Sequence, residues 1–145
     1  MSINIYLATQ DYYDMIYSFH KMLFKAHIEK IWGWEESWQK ANFSKSWKES
    51  RTKVIEYDEC FVGFMQTIDM TDCIMLRNIG VHPKFQKKGI GTQVLSELQV
   101  EARLLNKPIH LSVFVTNGEA RIFYKKIGFV DAKRGNGFQH MKWMI

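Results

Sequence analysis

Cysteine and proline are scarce in this 145-residue chain, at two each, and no apolar run approaches the length needed to cross a bilayer. Cys60 and Cys73 stand in strand-like segments without metal-ligand spacing, which reads as two free buried thiols in a reducing compartment rather than a disulfide. Histidines 20, 27, 82, 110 and 140 form no His-Glu-x-x-His grouping, and there is no Cys-x-x-Cys, so no metal is expected. The opening segment Met1-Ser2-Ile3-Asn4-Ile5-Tyr6-Leu7 has neither the basic start nor the apolar core of a secretion signal, which makes the cytoplasm the expected location. Few prolines, no low-complexity stretch and no internal repeat speak against long disordered segments and repeat architectures.

What is present suits a packed core. Apolar residues make up 46% and aromatics 14% of the chain, and residues 1–145 fit one domain. A compact chain of this size buries roughly two thirds of its unfolded surface. The net charge of +5 describes a solvated lysine-rich surface that also favours anionic partners. A phosphorylated cofactor and a nucleic acid would both qualify, and charge alone does not choose between them.

Periodicity divides the chain into an ordered series of elements. Residues 3–7 alternate as a strand, and a helix follows from Asp11 to about Lys30, with Ile16, Phe19 and Leu23 on one face. Ile31-Trp32-Gly33-Trp34 breaks it before a second helix from about Glu35 to Lys48. Strands are predicted over 53–56, 60–68 and 73–81, the last ended by Pro83. Helical spacing resumes after Gly89, then 109–115 reads as a strand covered on both faces. Thr116 and Glu119 have capping-box spacing for a short helix that Gly128 ends, and a hairpin turning at Gly135-Asn136-Gly137 closes the chain. The order β-α-α-β-β-β-α-β-α-β-β predicts an α/β (α+β) fold: a mixed, mostly antiparallel sheet of six or seven strands flanked by four helices. One parallel connection is expected, from 73–81 through a helix to 109–115.

The most specific segment is Ile79-Gly80-Val81-His82-Pro83-Lys84-Phe85-Gln86-Lys87-Lys88-Gly89-Ile90-Gly91-Thr92. A strand passes through a loop into a helix that opens with two glycines. The first amides of a helix lack intrahelical partners and attract negative charge, and glycine lets a phosphate approach them. A Walker loop fails here because the lysines precede the glycine. A dinucleotide fingerprint fails too: Val94 stands where a third small residue belongs, and seven residues separate Val81 from Gly89.

What remains is Gln-x-x-Gly-x-Gly after a strand ending in Val-x-Pro, which resembles the GNAT superfamily of N-acetyltransferases. Asn117, Tyr124 and Lys126-Ile127-Gly128-Phe129 are similar to that family's Asn…Phe/Leu-Tyr-x-x-x-Gly-Phe segment. The likeness is strong over residues 73–145, and Ile31 to Glu36 looks like a subset of small bacterial members. It implies acetyl-CoA as co-substrate and an amine-bearing small molecule or peptide as acceptor, joined in a ternary complex. Pantetheine would pair with the backbone of Ile79, Gly80 and Val81, with Gly80 marking a bulge. Pyrophosphate would sit on the amides of Gln86, Lys87, Lys88, Gly89, Ile90 and Gly91, with Thr92 adding a hydroxyl. Tyr124 would act as general acid toward the departing thiolate. Asn117 would bond pantetheine or serve as a helix cap.

The general base is harder to read. Relatives often carry an acid on the strand matching 73–81, but its interior here is Met75-Leu76-Arg77-Asn78-Ile79. Glu35 and Glu36 are candidates for the acceptor site, and equally surface acids at a helix start. Trp32, Trp34 and Trp38 suit either a cationic acceptor or a core, while Arg77 suggests an anionic acceptor unless an acid pairs with it. A non-catalytic, acetyl-CoA-binding sensor of the same fold is the alternative that the missing carboxylate motivates. Nucleic-acid binding has no motif behind it. The expected state is a monomer or homodimer.

Overall fold

A computed structural model describes residues 2–145. In chain order it contains β1 (Ile3–Leu7), α1 (Tyr13–Ile31), α2 (Glu36–Glu49), β2 (Arg51–Tyr57), β3 (Cys60–Asp69) and β4 (Ile74–Val81). These are followed by α3 (Ile90–Leu105), β5 (Ile109–Phe114), α4 (Gly118–Lys126), β6 (Val130–Gly135) and β7 (Phe138–Trp143). Short 3-10 turns occupy Gln10–Tyr12 and Pro83–Phe85. The seven strands form one sheet in the order β1-β2-β3-β4-β5-β7-β6. Every pairing is antiparallel except β4 with β5. The element order, the mixed sheet and the four helices are as the sequence predicts.

Alternation along the strands directs side chains to two separate cores. Ile74, Leu76, Ile109, Leu111 and Val113 pack with Val94, Leu95 and Leu98 of α3 on one face. Val54 and Phe64 pack with Ile16, Phe19 and Phe43 of α1 and α2 on the other. The helix ends follow local chemistry. Glu35 caps α2 by accepting from the amides of Ser37 and Trp38, so that helix begins one residue later than its sequence suggests. Gly128 (φ +102°) supplies the left-handed residue after α4, and Asn136 (φ +55°) with Gly137 (φ +83°) makes the last hairpin turn.

Several local expectations are corrected. The cap of α4 is Asn117, whose side chain accepts from the Ala120 amide at 3.2 Å, while the Thr116 hydroxyl bonds His27 instead. Cys60 is exposed because it opens β3 beside the tight turn at Asp58 and Glu59; only Cys73 is buried.

The sheet's central feature is a fork. β4 is paired with β3 as far as Val81, and β5 with β7 along its whole length. Between themselves, β4 and β5 share only Ile74–Leu76 against Ile109–Leu111. The register of β3 with β4 shifts between Gln66–Asn78 and Thr67–Leu76, which makes Arg77 the bulged residue and not Gly80. Gly80 is instead small for packing reasons: a Cβ there would stand 2.4 Å from Leu23 Cδ1 of α1.

Gly63 holds the far half of β4 close. A Cβ at this position would lie 2.2 Å from the Gly80 carbonyl oxygen, a backbone atom that cannot swing aside. Gly63→Ala is therefore expected to lower stability by about 2–3 kcal/mol, the cost of overpacking a tight contact, as read from urea denaturation.

Candidate functional site

Where β4 and β5 part, a cavity of about 840 Å³ passes through the sheet. Its walls include Met75 to Ile79 of β4 and Leu111 to Phe114 of β5. On the α3–α4 side it is bounded by Asn117, Ala120 and Tyr124, and on the α1–α2 side by His20, Phe24, Trp32 and Phe43. Because the β3 ladder uses one edge of β4, its other edge from Arg77 to Val81 has no strand partner. A polar backbone edge inside a protein needs bonding partners, so this one is ready for a ligand that presents amides.

Beyond the end of β4 the chain turns through Pro83–Phe85 into the glycine loop. The Gln86 Nε2 donates to the Val81 carbonyl at 2.8 Å and braces the loop against the strand it came from. Lys87 (φ +62°) and Gly89 (φ +82°) both adopt left-handed backbone. Gly89 is the cap of α3 and offers no side chain to the helix's first amides. Among the described residues, no hydrogen bond engages the amides from Lys87 through Thr92. The Lys87, Lys88 and Thr92 side chains are exposed, whereas Ile90 is buried and offers only its amide. The loop does not line the cavity; Ile79 to Val81 connect the two.

Tyr124 reaches the cavity from α4 and packs on Phe129. Burial pushes its phenol up, which keeps it neutral and a hydrogen-bond donor. Asn117 lines the cavity while capping α4.

The residues expected at the acceptor end are divided. Glu36 and Trp34 stay outside the cavity. Glu36 takes bonds from Lys21 (2.6 Å), Tyr17 (2.5 Å) and Trp34 (3.1 Å), with Lys21 foremost in drawing its carboxyl down to about 2. Lys21 and Lys25 lie 5.8 and 5.6 Å from the Trp34 ring centroid, so this indole already faces the protein's own cations. Glu35 and Arg77 do line the cavity, but Glu35 is occupied as a cap and Arg77 stands 3.5 Å from Glu49. Trp32 and Trp38 are 51% and 59% exposed and stand at the cavity wall, which excludes the core reading for both.

His20, Ser112, Phe138 and His140 are cavity residues that sequence reasoning missed. His20 is packed against Phe24, Phe43 and Phe64, and its Nδ1 is buried without a partner. Burial alone lowers its pKa from 6.5 to about 4. Among the described residues no cluster of three potential metal ligands occurs, and no helix is long and apolar enough to cross a membrane.

With this geometry in view, the relationships of the chain are informative. Residues 13–129 match the Acetyltransferase (GNAT) family. Among curated proteins, no sequence matches the chain. In shape it is similar to the PaiA N-acetyltransferase of Thermoplasma acidophilum, solved in complex with coenzyme A, at 16% identity, TM-score 0.81 and full coverage of both chains. It is also similar to a GNAT acetyltransferase of Elizabethkingia anophelis with acetyl-CoA bound, at 15% identity and TM-score 0.73, covering 99% of this chain and 98% of that one. A third similar structure is Arabidopsis thaliana Naa50 in complex with a bisubstrate analogue, at 17% identity and TM-score 0.69, covering 98% and 97%. The fork, the glycine loop and the match over most of its length agree: the chain belongs to the GNAT family of N-acetyltransferases.

The buried His20 makes stability depend on pH. Its folded pKa lies below its unfolded value, so the unfolded chain binds the extra proton and stability falls as pH drops from 6.5 toward 4. Between pH 7 and pH 5 the wild type should lose roughly 2 kcal/mol more than His20→Phe, as compared by urea denaturation.

Proposed function

We propose that this protein transfers an acetyl group from acetyl-CoA to a primary amine of a small molecule or peptide, by direct attack within a ternary complex. The observation that carries the proposal is the parting of β4 from β5 after Leu76 and Leu111, which opens a cavity beside an unpaired backbone edge. Pantetheine lies along that edge at Ile79 to Val81 and bonds to it as a further strand would. Its pyrophosphate rests on the amides from Lys87 to Gly91, with Lys87, Lys88 and Thr92 beside it and Gln86 bracing the loop. Coenzyme-bound relatives of the same shape support this placement.

The thioester then sits in the cavity with Tyr124 on the α4 side. As the amine nitrogen attacks the carbonyl carbon, the carbon–sulfur bond breaks. Tyr124 donates a hydrogen bond, and finally its proton, to the departing sulfur, and the proton shed by the newly acylated nitrogen restores the phenol. Asn117, fixed as a helix cap, has its side-chain amide nitrogen left for the pantetheine arm. Nothing in this scheme requires a covalent enzyme intermediate, since Cys60 and Cys73 both stand outside the cavity. The exposed free thiol of Cys60 fits a reducing, cytoplasmic compartment.

Gly89→Glu places a carboxylate and a strained backbone where phosphate would bind, and calorimetry should detect no acetyl-CoA binding. Wild-type affinity in that variant would remove the phosphate assignment. Tyr124→Phe should leave coenzyme affinity within about threefold of wild type and reduce turnover about 100-fold, as followed by release of free coenzyme A. Coenzyme binding without release on any amine would favour a sensor of the same fold.

A further inference from the structure

Five ionisable side chains line the cavity: His20, Glu35, Arg77, Tyr124 and His140. An acceptor amine arrives mostly protonated, so one group must take its proton before the nitrogen can attack. Arg77 is a permanent cation. Tyr124 is a neutral acid held in that state by burial. Both oxygens of Glu35 accept amides of α2, at 3.2 and 2.8 Å. His20 is a poor base, because the aromatic residues around it disfavour its charged form. His140 remains.

The position of His140 is specific. It lies opposite Ser112 across the β5–β7 ladder, and the Ser112 hydroxyl and His140 Nδ1 are 2.6 Å apart. Ser112 is the first residue of β5 past its last rung with β4, so its hydroxyl stands at the base of the fork. Leu111 and Val113 point into the core under α3, which places Ser112 on the α1–α2 face, opposite the α4 face that carries Tyr124. Acid and base thus flank the gap from its two sides. Building on the acetyl-transfer reading above, we infer that His140, acting through Ser112, is the base that takes the acceptor's proton.

The proton inventory balances. The ammonium gives one proton to Ser112 Oγ as the Ser112 hydroxyl proton moves to His140 Nδ1, leaving a neutral amine, an intact serine and an imidazolium. Nε2 carries the imidazole's own proton throughout. The imidazolium returns its proton to solvent after turnover. Besides the cavity groups already named, the charged or titratable neighbours are His110 beside Ser112 on β5 and Lys142 beside His140 on β7. From α1, His27 stacks on Phe114, and Lys133 lies in the β6 bulge opposite His140. No carboxylate is among these; Glu35 in the cavity is held by the Ser37 and Trp38 amides, and Asp131 on β6 is paired with Arg121 and Lys125.

The test uses the intact chain with acetyl-CoA and a panel of spermidine, tryptamine and a short peptide with a free N-terminus. Calorimetry reports coenzyme binding, and coenzyme A release reports turnover from pH 5.5 to 9. For the best acceptor, His140→Gln and Ser112→Ala should bind acetyl-CoA like wild type. His140→Gln should lose about 100-fold in kcat/KM, together with the part of the acidic limb that wild type owes to the imidazole. His140→Ala should regain activity when imidazole is added, which a merely structural histidine would not allow. A His140→Gln variant with wild-type kcat/KM and an unchanged limb overturns the base assignment and leaves acetyl transfer standing. Wild-type coenzyme binding without turnover on any amine overturns both, and absence of coenzyme binding removes the functional reading at its first step.

Discussion

The fold turns on a rivalry between neighbouring strands. β4 follows β3 and β5 follows β7, and these two antiparallel ladders are long enough to set the direction of each strand. The three parallel rungs between them cannot hold the pair together once the β3–β4 register slips at Arg77. Two anchors make the slip permanent. Asn78 donates to Gln66, which donates in turn to Thr52, so a buried polar ladder ties the bulge to β2 and β3. Arg77, at the cavity wall, meets Glu49 at the end of α2. The gap is therefore a consequence of pairing strength and one extra residue.

Much of this was legible in the sequence. The element order, the hairpin at Gly135-Asn136-Gly137 and the left-handed Gly128 follow from local patterns, and local patterns survive into the fold. The bulge did not, because register is a relation between two strands; Gly80 attracted the assignment by its residue type, although its smallness serves Leu23. In the sequence the cap of α4 is divided between Asn117 and the Thr116 capping box for a similar reason. Thr116 has suitable spacing, but its hydroxyl is bonded to a histidine 89 positions away.

The candidate site divides along the same line. The glycine loop is one contiguous stretch and could be read in order, although the left-handed backbone at Lys87 and Gly89 emerges only in the fold. The cavity wall on the α1–α2 face is assembled from α1, α2, β5 and β7, and no spacing rule links Ser112 to His140 or His20 to Phe43. Glu35 and Glu36 are the acids that the sequence offers, and Glu35 is taken up as the cap of α2 while Glu36 lies outside the cavity. Glu36 is held by three donors, a commitment that only the folded arrangement of α1 and α2 reveals.

The Asn136-Gly137 turn lies against the end of α1, where a Cβ at Gly137 would come within 2.6 Å of Ile31 and 2.8 Å of Trp32. The outer wall of the cavity is thus joined by a fingertip contact between two peripheral segments, neither of which belongs to the glycine loop. Altering the length or residues of that turn would reshape this mouth of the cavity while leaving the glycine loop untouched. Under the proposed acetyl transfer, selectivity and cofactor use would be separately mutable traits.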